Sequence, residues 1–212
     1  MVAKKGEIGR SEPYDGFLTG DFFRQYDIEL DFAAGKMIWL TPTKCTDPDK
    51  VVFWAHSEVA IIPVTLGDDG RLQMQAMVGD HLINAEIDTS SPRTVMRRDI
   101  AELYVGLKAD KDLIPVSGLE DAMNMQVYVH TFPQIIFAGG GLMAMNVPVL
   151  VQDYSLHHDL DQAVLGTRAQ FRNQRIPDLV IGMDVLKHLH MYVVPGQSRV
   201  YVTGASENAP AE

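Results

Sequence analysis

At 212 residues, with 46% hydrophobic and 22% charged side chains, the chain has material for one substantial core and a smaller appended unit. Its net charge of -10 sets it against nucleic acid and anionic membranes as main partners, because both would repel it over a Debye length. A lone cysteine, Cys45, excludes an internal disulfide framework and a thiolate metal cluster, and no apolar run is long enough to span a bilayer.

Residues 1–15 are polar and rich in glycine and charge, and read as a flexible leader in which Met1 to Arg10 lacks the apolar stretch of an export signal. Residues 16–50 read as a helix and hairpin followed by a connector. Gly16 to Asp27 suits a short helix, Ile28, Leu30 and Phe32 alternate with acids as a strand, and Ala33-Ala34-Gly35-Lys36 turns into Met37-Ile38-Trp39-Leu40. In the connector, Val51-Val52-Phe53-Trp54 is a short apolar strand candidate, with Trp54 expected to anchor it on the core.

The main domain is expected over residues 51–204. Val59 to Leu66 reads as a strand, and Gly67-Asp68-Asp69-Gly70 as a solvated hairpin turn rather than a calcium loop, whose remaining ligands are missing. Leu72 to Val78, the turn Gly79-Asp80 and Leu82 to Asp88 make the next hairpin. Thr94-Val95-Met96 reads as a strand, and Ile100, Leu103, Tyr104 and Leu107 have the spacing of a helix over 97–107 that covers the sheet. Arg97-Arg98 reads either as a site for an acidic partner or as a solvated helix start. Residues 108–125 suit a mobile hairpin between strands.

Val127 to Phe132, Ile135 to Ala138 and Leu142 to Val151 are strand-like, split by Pro133 and by Gly139-Gly140-Gly141. No helix with Lys-Ser/Thr follows the glycines, so a hairpin turn is preferred to a phosphate loop. Residues 155–177 look like a surface insertion, and 205–212 like a disordered tail. His157-His158, His188 and His190 are expected at the surface or capping backbone, since adjacent histidines rarely ligate one ion; no metal and no cofactor is expected.

The C-terminal part repeats the hairpin near the start. Placing Asp21 on Asp184, 163 residues later, carries Phe23 onto Leu186, Lys36 onto Arg199 and Met37 onto Val200. The repeat reads equally as the end of an upstream lobe or as an independent hairpin padding the sheet.

Two stretches carry the chemistry. In Ala85-Glu86-Ile87-Asp88-Thr89-Ser90-Ser91 a half-buried strand delivers a carboxylate at its tip, with Glu86 expected to be an exposed strand residue. In Leu179-Val180-Ile181-Gly182-Met183-Asp184-Val185-Leu186 a buried strand runs into a glycine, which suits close approach to another backbone. No nucleophile elbow surrounds Ser90 or Ser91, which leaves a Ser-His-Asp arrangement weak.

This pairing resembles the retropepsin-like aspartic protease family, whose marks are a strand ending in Asp-Thr-Gly and a later hydrophobic-hydrophobic-Gly. Asp88-Thr89 and Ile181-Gly182 match, over roughly residues 59 to 203 by domain size, and Gly182-Met183-Asp184-Val185-Leu186 looks like the bacterial members. Ser90 stands where the family has glycine. The resemblance implies a mainly β fold, a closed β-barrel-like lobe with one or two short helices. It also implies an aspartic endopeptidase in which Asp88 is catalytic and Thr89, Ser90, Ile181 and Gly182 support its loop. Residues 108–125 would hold the flap, and an extended polypeptide would be the substrate. Bacterial relatives are often exported, so the resemblance leans towards the periplasm.

One carboxylate cannot hydrolyse a peptide alone, because the reaction needs two facing carboxyls sharing a proton. A homodimer, or an upstream lobe, would complete the site. The alternative is a peptide-binding pseudoprotease of the same fold.

Overall fold

A computed structural model describes residues 24–42, 52, 54, 59–67, 70–121, 124–139, 141–153 and 177–205. The expected helix over 16–27, whose last residue belongs to a strand instead, most of the connector, Asp68-Asp69, the 155–177 insertion with His157 and His158, and the tail therefore lie largely or wholly outside the described residues. The fold is mainly β, and the chain divides into two compact units. The first holds residues 1–74, 138–142 and 186–212, the second 75–137 and 143–185.

The first unit contains a five-stranded antiparallel sheet. Its strands are β1 (Asp27–Asp31), β2 (Lys36–Leu40), β3 (Ala60–Pro63), β12 (Leu189–Val194) and β13 (Arg199–Gly204), in the order β2-β1-β12-β13-β3. The expected strand over 59–66 breaks into β3 and a two-residue β4 (Thr65–Leu66), with the Val64 amide donating to Ser198 O at 3.0 Å between them. Val52, Tyr192, Val194 and Tyr201 form a core cluster under Trp54, which is the anchoring role expected for that tryptophan.

Two expectations about polar residues fail in this sheet. The alternation of β1 suggests one wet face, yet Asp27 is 1% and Glu29 5% exposed. His190, expected at the surface or capping backbone, is buried as well, with a side-chain partner. Its imidazole stacks on the Trp54 indole, with centroids 4.0 Å apart, and its Nε2 lies 3.0 Å from Glu29 Oε1. The tyrosine hydroxyl of Tyr192 donates to Asp27 Oδ2 at 3.4 Å, and the Trp54 indole N–H to Thr203 Oγ1 at 3.2 Å. Polar groups buried on this face depend on partners inside the protein, and Glu29 Oε2 is buried without one. Burial, with the Asp27 carboxylate beside it, pushes the Tyr192 hydroxyl up to about 12.

The second unit is built on a closed six-strand barrel. Its strands are β5 (Leu72–Val78), β6 (His81–Ile87), β7 (Val95–Arg97), β9 (Gln126–Phe137), β10 (Met143–Gln152) and β11 (Leu179–Ile181). Running β5-β6-β11-β7-β10-β9, the sheet closes where Ala76 and Val78 of β5 pair with Phe137 and Ile135 of β9. Every second residue points inward, so Ala76 and Val78, Ile83 and Ala85, and Val147, Val149 and Val151 are buried. Strand β11 is buried at all three positions, because β6 and β7 flank it on both sides. An edge strand, β8 (Ile114–Glu120), pairs with β9, so the hairpin expected over 108–125 is present.

Pro133 does not split β9, contrary to the sequence reading. Ladder pairs run through Phe132–Val147 and Gln134–Met145 but skip Pro133, and Asn146 opposite adopts φ +52°. A local irregularity absorbs the missing N–H, and the strand continues. The helix expected over 97–107 also differs. Arg97 belongs to β7, paired with Gln152; the helical segment starts at Arg98, and Ile100–Tyr104 is wound as a π turn with the Val105 amide on Ile100 O at 2.8 Å. Its wider turn moves the apolar residues off one face, leaving Leu103 87% exposed and burying only Ala101. It covers nothing.

Candidate functional site

Strand β6 ends at Ile87 and β11 at Ile181, and the two pair in parallel with those residues in register. Parallel pairing forces the chain ends after both strands to leave from the same side of the sheet. Asp88 and Gly182 are therefore neighbours by construction, and the Asp88 amide donates to Ile181 O at 3.1 Å. Thus the structure brings together the two stretches that were matched in the sequence.

Gly182 has no room for a side chain. A Cβ placed there would run into the backbone carbonyl of Arg93 and come within 2.9 Å of Ser91 O. The same approach lets the Met183 amide donate to Ser91 O at 2.8 Å and the Gly182 amide to Thr94 Oγ1 at 3.2 Å. Glycine is required here by contact, not by backbone angle.

The loop after β6 is folded around its own carboxylate. Asp88 Oδ1 accepts from the Ser90 amide at 2.8 Å and from the Ser90 hydroxyl at 2.6 Å, while the Ser91 amide reaches Asp88 O at 3.3 Å. This is an Asx turn, in which a short acidic side chain takes the place of a backbone carbonyl. Asp88 is half-buried, and Thr89 and Ser90 are exposed. Ser90 is not among the residues with positive φ, so it occupies the glycine position without left-handed strain. Thr89, expected to buttress the loop, lies exposed beside the carboxylate.

The buttress within this chain is a pair of residues the sequence reading did not single out for it. Thr94, fully buried, donates its hydroxyl to Asp184 Oδ1 at 2.7 Å and its amide to Asp184 Oδ2 at 3.0 Å. Asp184 also accepts from the Val185 amide at 3.0 Å and lies 3.4 Å from Arg93 Nε. It sits in the one-turn helix α1 (Met183–Leu186) that follows the glycine. The Gly-Met-Asp spacing was visible, but a threonine in an apolar strand gave no sign of its role.

At the other end of β11, Asp178 joins three strands. Its Oδ2 accepts from the Asn84 amide at 2.9 Å and side chain at 3.2 Å, its amide donates to Asn84 O, and its carbonyl accepts from the Arg97 amide at 3.1 Å. The Arg97 guanidinium bonds Asp99 and holds that carboxyl below its usual range, while Arg98 pairs with Glu102 at 2.7 Å and lies over the Tyr128 ring. Both arginines are thus taken up by acids of this chain. Glu86 is 3% exposed, against the expectation of a wet strand residue, because β11 runs alongside with Val180 opposite it.

Chemically, the site offers a half-buried carboxylate with one oxygen held by two donors. Such a group can take a proton from water. Cleaving an amide needs, in addition, an acid on the far side of the carbonyl.

No protein-family model and no curated protein matches the sequence. Among solved structures, a retropepsin-like aspartic protease from Rickettsia conorii is similar over 68% of this chain and 90% of its own, at 14% identity and a TM-score of 0.44. Basic 7S globulin from soybean is similar over 90% of this chain, at 12% identity and a TM-score of 0.49. This chain spans about half, 54%, of the globulin's length. At these scores neither likeness carries an argument about function.

Proposed function

We propose that this chain is one lobe of an aspartic-type endopeptidase, with Asp88 as one of its two water-activating carboxylates. The observation that carries the reading is the union of the Asp88 turn with the Ile181-Gly182 strand end, through the Asp88–Ile181 hydrogen bond and the close approach at Gly182. That arrangement fixes the carboxylate by backbone, which positioned general bases require.

In the reaction, water attacks the peptide carbonyl carbon and gives a proton to one carboxylate, while the other, protonated, carboxyl gives its proton to the carbonyl oxygen. The tetrahedral intermediate then expels the amine, which leaves with a proton. Like charges in contact keep the pair singly protonated, which is why two acids are needed. The second comes from a second subunit or a second lobe. Thr89 would steady the junction of the two loops there. An extended polypeptide would add as a strand along hairpin β8–β9, whose outer strand ends its sheet among the described residues and exposes Ile114 and Leu119.

One observation favours a second reading, a peptide-binding protein of the same fold without turnover. The Ser90 hydroxyl occupies a lone pair of Asp88 that a glycine would leave free. The test is cleavage of a denatured protein mixture across acidic to neutral pH, comparing wild type with Asp88→Asn. Loss of cleavage in the variant supports the peptidase. Equal turnover removes it, and peptide binding without turnover in either protein favours the second reading.

A further inference from the structure

The loop that carries Asp88 also carries a cation. It runs from Asp88 to Thr94, with Arg93 just before the start of β7. The register of the sheet fixes how close the two lie. Ile87 and Ile181 are paired, so Asp88 and Gly182 follow on adjacent strands about 5 Å apart, and the Arg93 main chain packs against Gly182 where a Cβ would go. One strand spacing plus one contact places the Arg93 backbone within about 10 Å of Asp88.

The Arg93 guanidinium is open where those that follow it are closed. The side chains of Arg97 and Arg98 are 24% and 25% exposed, the first taken up by Asp99 and Asp178, the second by Glu102 and Asp153. The Arg93 side chain is 48% exposed, and among the described residues its charged partner is Asp184, 3.4 Å from Nε. That carboxylate is already committed, because Thr94 and Val185 donate to both of its oxygens. A clamp on Asp184 accounts for Nε alone. The terminal nitrogens of the fork are left for an acceptor from outside the chain.

We infer that Arg93 sets substrate preference, receiving the carboxylate of an Asp or Glu side chain two or three residues from the scissile bond of an extended polypeptide. The position follows from strand geometry: a peptide laid past Asp88 advances about 3.4 Å per residue, so two or three residues cover about 7–10 Å. The recognition is that of a planar guanidinium for a carboxylate. The inference rests on the peptidase reading and adds to it a class of substrate. Net charge makes it specific. At -10, the field of the chain favours basic peptides. A preference for an acid at a single position is therefore the mark of a local cation and not of the surface at large.

The experiment reads binding by position. Uncleavable peptides with a secondary alcohol in place of the scissile carbonyl carry Glu, Gln or Lys in turn at each of three positions on either side of it. They are titrated against the assembled protein at about pH 6, where a free Glu side chain is ionised. At one position, two or three residues from the alcohol, Glu should bind about fivefold tighter than Gln, and Lys more weakly than both. Arg93→Gln should level Glu with Gln there, Arg93→Lys should keep part of the preference, and Arg93→Glu should reverse the order in favour of Lys, with every other position unchanged. A purely structural role would instead change all positions alike, and that result overturns the inference. So does the lack of any position that prefers Glu, or a Glu preference that survives in Arg93→Glu, and in these cases the peptidase reading still stands. Wild-type protein that binds the alcohol no tighter than the matched peptide without the hydroxyl overturns that reading, and the inference with it.

Discussion

Replacing Gly182 by alanine is the sharpest test of how the site is held together. The added Cβ would meet main-chain atoms of Arg93 and Ser91, not the movable end of a side chain, so relief requires shifting one of two strand ends. Overpacking of this kind costs about 1–3 kcal/mol. The shift also strains two hydrogen bonds, Met183 N to Ser91 O and Gly182 N to Thr94 Oγ1, at about 1 kcal/mol each. The expected destabilisation is therefore about 3–5 kcal/mol, measured as a lower urea midpoint with an unchanged slope. Gly196→Ala is the control, because nothing lies within 4 Å of a Cβ there. A Gly182→Ala protein within about 0.5 kcal/mol of wild type, the range of inert surface changes, would refute the claim that contact at this glycine holds the turn.

Three further outcomes are expected. Thr94→Val keeps the shape but removes the hydroxyl shared by Asp184 and the Gly182 amide, and should cost about 1–3 kcal/mol in the same unfolding assay. The Tyr192 hydroxyl is raised from 10.0 to about 12 by burial and the Asp27 carboxylate, so stability should fall as pH rises from 10 towards 12, and Tyr192→Phe should flatten that alkaline limb. Ser90→Gly retains the amide bond to Asp88 but removes the 2.6 Å hydroxyl bond, and steady-state cleavage should show kcat lowered about tenfold with KM little changed, equivalent to about 1.4 kcal/mol. A gain in kcat would instead mark Ser90 as a block on the carboxylate.

What the sequence made legible followed from strict alternation and from turn chemistry. Leu72 to Val78 and Ile83 to Ile87 read as strands because one face of each lines the barrel, although Glu86, on the other face, is buried too. The two motifs could be paired because both are strand ends, and parallel neighbours deliver their ends together. The failures share a cause: a third element overrides the local pattern. Glu29 and His190 look like wet residues until Trp54 closes over them. Arg97 sits at a good helix start, but its ladder partner Gln152 and its bonds to Asp99 keep it in β7. Thr94 looks like any β-former, and its role depends on Asp184, 90 residues away.

Affinity for an uncleavable peptide in which a secondary alcohol replaces the scissile carbonyl tests most directly whether Asp88 is half of a proton-sharing pair. Assembled wild-type protein should bind the alcohol at least about 100-fold tighter than the matched peptide without the hydroxyl, as expected of a mimic of the tetrahedral intermediate. The advantage should vanish in Asp88→Asn. An equal preference for the alcohol in wild type and variant would show that Asp88 takes no part in binding it, and would contradict the peptidase reading.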